Sequence, residues 1–232
     1  MNPKAIAMGM LVYALIGVAI GLYLYYYNTS VYPLYLSASS CIDNARNIVR
    51  GIGAVAMLLA VYEYFAFDIR SGMAATMLST GFGLKRYVLF KALYLVALGA
   101  VLYTPMLILA LPFQDFRLVI GGEVASDIAL VVGFGLLLSV LSQRVEVVVL
   151  GGLAASLVLK FVLTLLGAAK NFWLTPVSST YFYYWLKRGT MPVQDLALSF
   201  LLYSILVSAI ILALLVFFSE KIARRGVYSW RP

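Results

Sequence analysis

The chain contains no histidine, a single cysteine and few charges, with only 11% of its 232 residues Asp, Glu, Lys or Arg. Each shortage excludes some chemistry. Without histidine there is no Ser-His or Cys-His nucleophile pair, no common zinc or haem ligand set and no imidazole proton shuttle. Cys41 cannot close a disulfide within the chain, so a free thiol is expected, with intermolecular pairing as the alternative. No G-x-x-x-x-G-K-[ST] phosphate loop occurs, and Gly81-Phe82-Gly83 lacks the third glycine and preceding buried strand of a dinucleotide fingerprint. Asp127 and Glu123 share a helical face at i, i+4, but Glu123 falls at the outer boundary of a span. An intramembrane aspartate enzyme wants two carboxylates at one depth. The chain is therefore not expected to be an enzyme.

What it has in abundance is apolar sequence. Hydrophobic residues make up 64% of the chain and charged ones 11%, where a soluble domain carries roughly 25% charge. Ala5 to Ile42, Ala92 to Gln114 and Leu196 to Ser219 carry no charge at all, and each covers the roughly 20 residues a helix needs to cross a bilayer. The expected fold is an all-α polytopic membrane protein, a single domain over 1–232 without internal repeats, multi-pass in the plasma membrane. The first run is too long, and lacks a clean small-x-small cleavage site, for a signal peptide with its core of about 7–15 residues. The net charge of +8 is read as cytoplasmic Lys and Arg against anionic headgroups, not as a nucleic-acid surface.

Six spans account for the chain: Ala5–Tyr27, Asn47–Phe67, Tyr87–Leu111, Gly122–Ser142, Val147–Gly167 and Leu196–Phe218. With both termini inside, ten cations lie on the inner face: Lys4, Arg70, Lys85, Arg86, Lys91, Arg144, Lys221, Arg224, Arg225 and Arg231. Six lie outside (Arg46, Arg50, Arg117, Lys170, Lys187 and Arg188), and this bias sets the orientation. Outside are then Asn28–Arg46, a short Pro112–Gly121 turn and the aromatic-rich Ala168–Asp195, an interfacial or re-entrant segment between spans five and six. Inside are a tight hairpin at Gln143–Glu146 and the island Asp68–Lys91.

Three intramembrane charges stand out: Glu63, Asp127 and Lys160. Lys160 falls near the middle of the fifth span, where a lysine costs on the order of 2.5–3.5 kcal/mol. Snorkelling, an ion pair and contact with an anionic substrate are the possible reasons. Counted back from the hairpin, Asp127 and Lys160 differ in depth by only about 4–5 Å at 1.5 Å per residue, which favours an ion pair between antiparallel neighbours. Glu63 is expected to reach the inner interface, with Arg70, Lys85 or Lys91 as partners; relaying movement of the island is its functional alternative. Pro105, Gly133 and Gly135 allow kinks and close helix approach.

The island, DIRSGMAATMLSTGFGLKRYVLFK, is about twenty residues where four would turn the chain. An amphipathic turn of helix from Met73 to Leu78 runs into a Ser-Thr-Gly-Phe-Gly break, and Lys85-Arg86 opens the next span. This stretch resembles the loop between spans two and three of type-2 ABC exporter permeases, the membrane subunits of ATP-driven transporters. Asp68 and Gly72 match the acidic residue and glycine that close the second span there. Met77-Leu78-Ser79-Thr80 matches the ending of the short coupling helix, and Lys85, Arg86 and Lys91 match the basic opening of the third span. Gly81 and Phe90 depart from the proline and glycine common at those positions, and the family's N-terminal interfacial helix is missing here or merged into the first span.

The resemblance implies a separate ABC ATPase subunit, carrying ATP and Mg, docked on the coupling helix. It also implies a second permease, identical or different, with the substrate path between the two capped by Ala168–Asp195. No cofactor is expected in this chain. Met73, Met77, Leu78 and Phe82 would fill a groove of the ATPase, with Ser79 and Thr80 ending the helix. Arg70, Lys85 and Arg86 would lie near headgroups or acidic residues of the partner. An amphipathic loop lying flat on the bilayer is the alternative for the loop. A non-transporting membrane scaffold that docks a cytoplasmic partner is the alternative for the protein.

Overall fold

The computed structural model describes residues 50–79, 83–109, 114–168 and 193–226. The first expected span, the outer segment 28–46, Cys41, most of Ala168–Asp195, Thr80 and Phe82 lie outside the described residues. Within them the chain is helical almost throughout and has no strand. In order come α1 (Arg50–Arg70), α2 (Met73–Ser79), α3 (Leu84–Leu102), α4 (Thr104–Leu109), α5 (Gln114–Leu141), α6 (residues 145–168) and α7 (Val193–Gly226). Three of these, Arg50–Arg70, Arg117–Leu141 and Ala197–Arg224, are long and apolar enough to cross a membrane.

The helices do not stop where hydropathy stops. Instead of a continuous Tyr87–Leu111 span, α3 ends at Leu102 and Tyr103 forms a turn before α4. Pro105 is the cause: it has no N–H to donate and cannot continue an α-helix without a clash one turn back. The Tyr103 carbonyl restarts the helix by accepting from the N–H groups of Met106 (3.0 Å) and Leu107 (3.3 Å). The turn expected at Pro112–Gly121 is already helical from Gln114. α7 runs past Phe218 to Gly226, where Arg224 donates to Glu220 one turn earlier at 2.5 and 3.0 Å. Glu before a cation at i, i+4 is the favourable order on a helix, and the pair supports the last turns beyond the apolar run. The Gln143–Glu146 hairpin is realised by residues 142–144.

α5 is the hub. It packs against α1, α3, α4, α6 and α7, most extensively against α7. Small residues allow this: Gly122 of α5 lies against Ser204, and Gly133 against Leu215, while Gly99 of α3 lies against Ile128 of α5. In lipid, helices gain little from burying apolar surface, so close backbone approach at small residues supplies the packing. Three buried serines return their hydroxyls to their own helices: Ser139 to the Gly135 carbonyl (2.7 Å), Ser156 to that of Leu153 (2.9 Å) and Ser219 to that of Leu215 (2.7 Å). The core runs from Met57, Leu58, Val61 and Phe65 through Leu95 and Tyr103 to Ile128, Val132 and Leu136. α7 presents Leu202, Leu206, Ile210, Leu214 and Phe217 outward, a surface suited to acyl chains.

A Cβ at Gly133 would stand 2.5 Å from Leu215 Cδ1 and 3.0 Å from its Cβ. Gly133→Val is expected to destabilise by about 1–2 kcal/mol, the lower part of the overpacking range, because the Leu215 terminus can swing away. Gly51, with nothing within 4 Å of such an atom, should accept alanine with a gain of about 0.5–1 kcal/mol. Thermal unfolding in detergent checks both; equal effects at the two glycines would mean that α5–α7 contact is not tight.

Candidate functional site

The island is a built element. α1 ends on Gly72, whose φ of +74° is the left-handed conformation that favours glycine at a helix C-terminus. The N–H of Ser71 donates to the Phe67 carbonyl (2.8 Å), and that of Gly72 to the Ile69 carbonyl (3.3 Å). The Gly72 carbonyl then starts α2, accepting from the N–H (3.0 Å) and the hydroxyl (3.1 Å) of Thr76. α2 covers the Met73–Leu78 turn and continues through Ser79. It buries Ala74 fully and leaves Met73 about half exposed (51%), with Met77 exposed as well. Arg70, Lys85 and Arg86, the cations expected around the docking surface, are all exposed.

The two ends of the island are tied to each other. Asp68, buried at the end of α1, takes the Lys91 ammonium of α3 at 2.6 Å and the Tyr87 hydroxyl at 3.0 Å on the same oxygen, Oδ2. Lys91 also donates to the Tyr64 carbonyl (2.8 Å) and lies 5.7 Å from the centroid of the Tyr87 ring. Tyr64 belongs to a π-helical turn, Tyr62–Ala66. Such a turn disturbs the i→i−4 ladder and turns a carbonyl outward. Phe65 stacks on Tyr87 and Tyr64 meets Tyr94 edge-on, so the roots of the island are braced by rings as well. Glu63 was expected to seek Arg70, Lys85 or Lys91; Lys91 is instead engaged by Asp68, which is nearer the end of α1.

The second constellation is within the helices. Asp127 of α5, its side chain 4% exposed, meets Arg50 of α1 and Lys160 of α6. Arg50 grips both carboxylate oxygens, Nη2 to Oδ1 at 2.9 Å and Nε to Oδ2 at 2.5 Å. The first is a charge-assisted hydrogen bond; the second is an ion-pair contact, and among the described residues Oδ2 accepts no hydrogen bond. The Lys160 ammonium pairs with Oδ1. Asp127 stands fifteen residues from Ser142, about 22 Å along α5, so the triad is well away from the hairpin.

The structure thus brings Asp127 and Lys160 together, as depth counting expected, and adds Arg50, which counting had placed among the outer-loop cations. Arg50 is 77 residues from Asp127. Its one sequence signal is that the second span must take in Arg50 or Glu63, since only Gly51 to Tyr62 is free of charge between them. Glu123, one turn from Asp127, is buried rather than solvated at a boundary.

Two hollows adjoin these groups. One of about 330 Å³ lies beside the triad, between α1, α5 and α6. The other, about 980 Å³ and open, lies at the hairpin end beside Tyr62, Arg70, Arg144, Glu146 and Ile222. Among the described residues no group of three or more Cys, Asp or Glu side chains could hold a metal ion. Comparison with protein-family models, with curated proteins and with solved structures finds no match.

Proposed function

We propose that the chain is the transmembrane permease subunit of an ATP-driven exporter of the type-2 ABC class, paired with a second permease and driven by a separate ATPase chain. The observation that carries this reading is α2, a short helix set between two longer ones with both of its roots fastened. A lever has to be stiff where it meets the membrane. Asp68, Lys91 and Tyr87 provide that stiffness, and Met73 and Met77 provide an apolar tip for a groove on the partner. ATP and Mg would bind the partner; this chain would move α1 and α3 when α2 is pushed.

The same reading has six spans, both termini in the cytoplasm and the plasma membrane as its site. The three long apolar helices support the membrane location. With Arg50 committed to Asp127 and Lys91 to Asp68, five outer cations stand against nine inner ones, a bias that supports the orientation.

The test is purification of the full chain from its native membranes in mild detergent. An ATP-hydrolysing chain is expected to come with it, and Met73→Glu is expected to lower its recovery at least tenfold. Glutamate in the first turn suits the helix N-terminus, so the variant should leave α2 folded. Recovery of no ATPase in any mild detergent would replace this reading with a membrane scaffold whose island docks some other cytoplasmic partner.

A further inference from the structure

The triad holds two cations and one carboxylate, and arginine does not give up its proton. Asp127 therefore balances one of the two charges. Glu123, the nearest further carboxylate on α5, is buried one turn away and does not line the adjoining hollow. Arg50 and Lys160 do line it, together with Tyr103 and Ser156. Asp127 lines it as well, its carboxylate engaged by both cations, and the other walls are apolar or glycine, among them Ala54, Val131 and Leu153. The hollow thus has the triad, with one cation in excess of its carboxylate, at one place, the Tyr103 and Ser156 side chains beside it, and mostly hydrocarbon around the rest.

We propose that this hollow between α1, α5 and α6 binds a single-chain anionic amphiphile, its carboxylate held by Lys160 and Arg50 and its alkyl chain against the apolar walls. A cationic ligand would be repelled, and a neutral one would add no counter-charge for the cation that, among the described residues, Asp127 does not balance. A lone inorganic anion would fill little of the roughly 330 Å³ and leave the apolar walls without contacts. Asp127 is the positioning residue: its hydrogen bond and ion pair hold the Arg50 guanidinium, and the flexible Lys160 stem can turn from Asp127 to the ligand. The site does not involve α2, so it stands whether or not an ATPase docks there.

The experiment is calorimetric titration of the purified full chain, in a non-ionic detergent, with decanoate, with decanol and with inorganic phosphate. Decanoate is expected to bind at one saturable site, at least tenfold tighter than decanol or phosphate. Lys160→Met and Arg50→Gln should each weaken it at least tenfold, while Lys160→Arg should stay within about threefold. Ala54→Phe keeps all three charges and fills the hollow, so it decides the matter if the charge variants fail to fold. It should abolish decanoate binding without loss of thermal stability. Equal affinity for decanol would mean simple adsorption, equal affinity for phosphate would mean an anion site without a chain pocket, and full binding by a folded Ala54→Phe would place the ligand elsewhere. Each of these overturns the proposal.

Discussion

Asp127→Asn is expected to cost about 3–5 kcal/mol, the range for removing one partner of a buried ion pair. The residue is the one carboxylate shared by Arg50 and Lys160, and its side chain is 4% exposed. Asparagine keeps the shape but not the charge, so two cations would face each other across three helices. Arg50 keeps its charge whatever surrounds it. The relief should follow the same logic. Adding Lys160→Met to Asp127→Asn removes one of the stranded charges, so the double variant should be more stable than the sum of the two single changes predicts, by about 1–3 kcal/mol. Unfolding in detergent, with all four members of the cycle, checks this. If Asp127→Asn and Lys160→Met each leave stability intact and the double variant shows no coupling, the triad contributes nothing to the fold.

The second large effect is expected at the base of the island. Asp68→Asn should destabilise by about 2–3 kcal/mol, the scale of a hydrogen bond to a charged group, and should loosen α2 more than the bundle. Asp68 accepts from both Lys91 and Tyr87 through one oxygen. The loss stays below that at Asp127 because Lys91 retains the Tyr64 carbonyl at 2.8 Å. Amide hydrogen exchange reads the local part: residues 73–79 should lose protection while those of α5 keep theirs. If protection falls equally everywhere, Asp68 supports the whole bundle and has no particular hold on the island.

These two residues also show how far one-dimensional reading reaches. Depth along a helix is linear in residue number, so Asp127 and Lys160 could be matched across the Gln143–Glu146 hairpin without knowing anything else. Arg50 could not be matched that way, since the turn that would set its depth against Asp127 is not a short one. A cation at the end of a hydrophobic run looks the same whether it faces headgroups or turns inward to a carboxylate. Lys91 was legible as basic and near the start of a span. That it would choose Asp68 over Glu63 depended on the rotation of α1 relative to α3, which the π-helical turn at Tyr62–Ala66 alters. The break at Tyr103 was half legible, because Pro105 announces a kink but not whether the chain bends or stops.

Residue order alone set the helical class, helices long and apolar enough to cross a membrane, a tight link near Gln143–Glu146 (residues 142–144 in the fold) and a separate helical turn from Met73 to Leu78. Apolar run length, glycine and proline act over one or two turns, and a single chain displays them directly. Tertiary structure alone decided that α5 is the hub, that Arg50 joins Asp127 and Lys160 beside a hollow, and that Asp68 closes the island on Lys91. Those outcomes depend on which helix faces meet. Facing is set by small residues such as Gly133 against Leu215, by rings such as Phe65 on Tyr87, and by the high cost of leaving a charge alone among apolar helices.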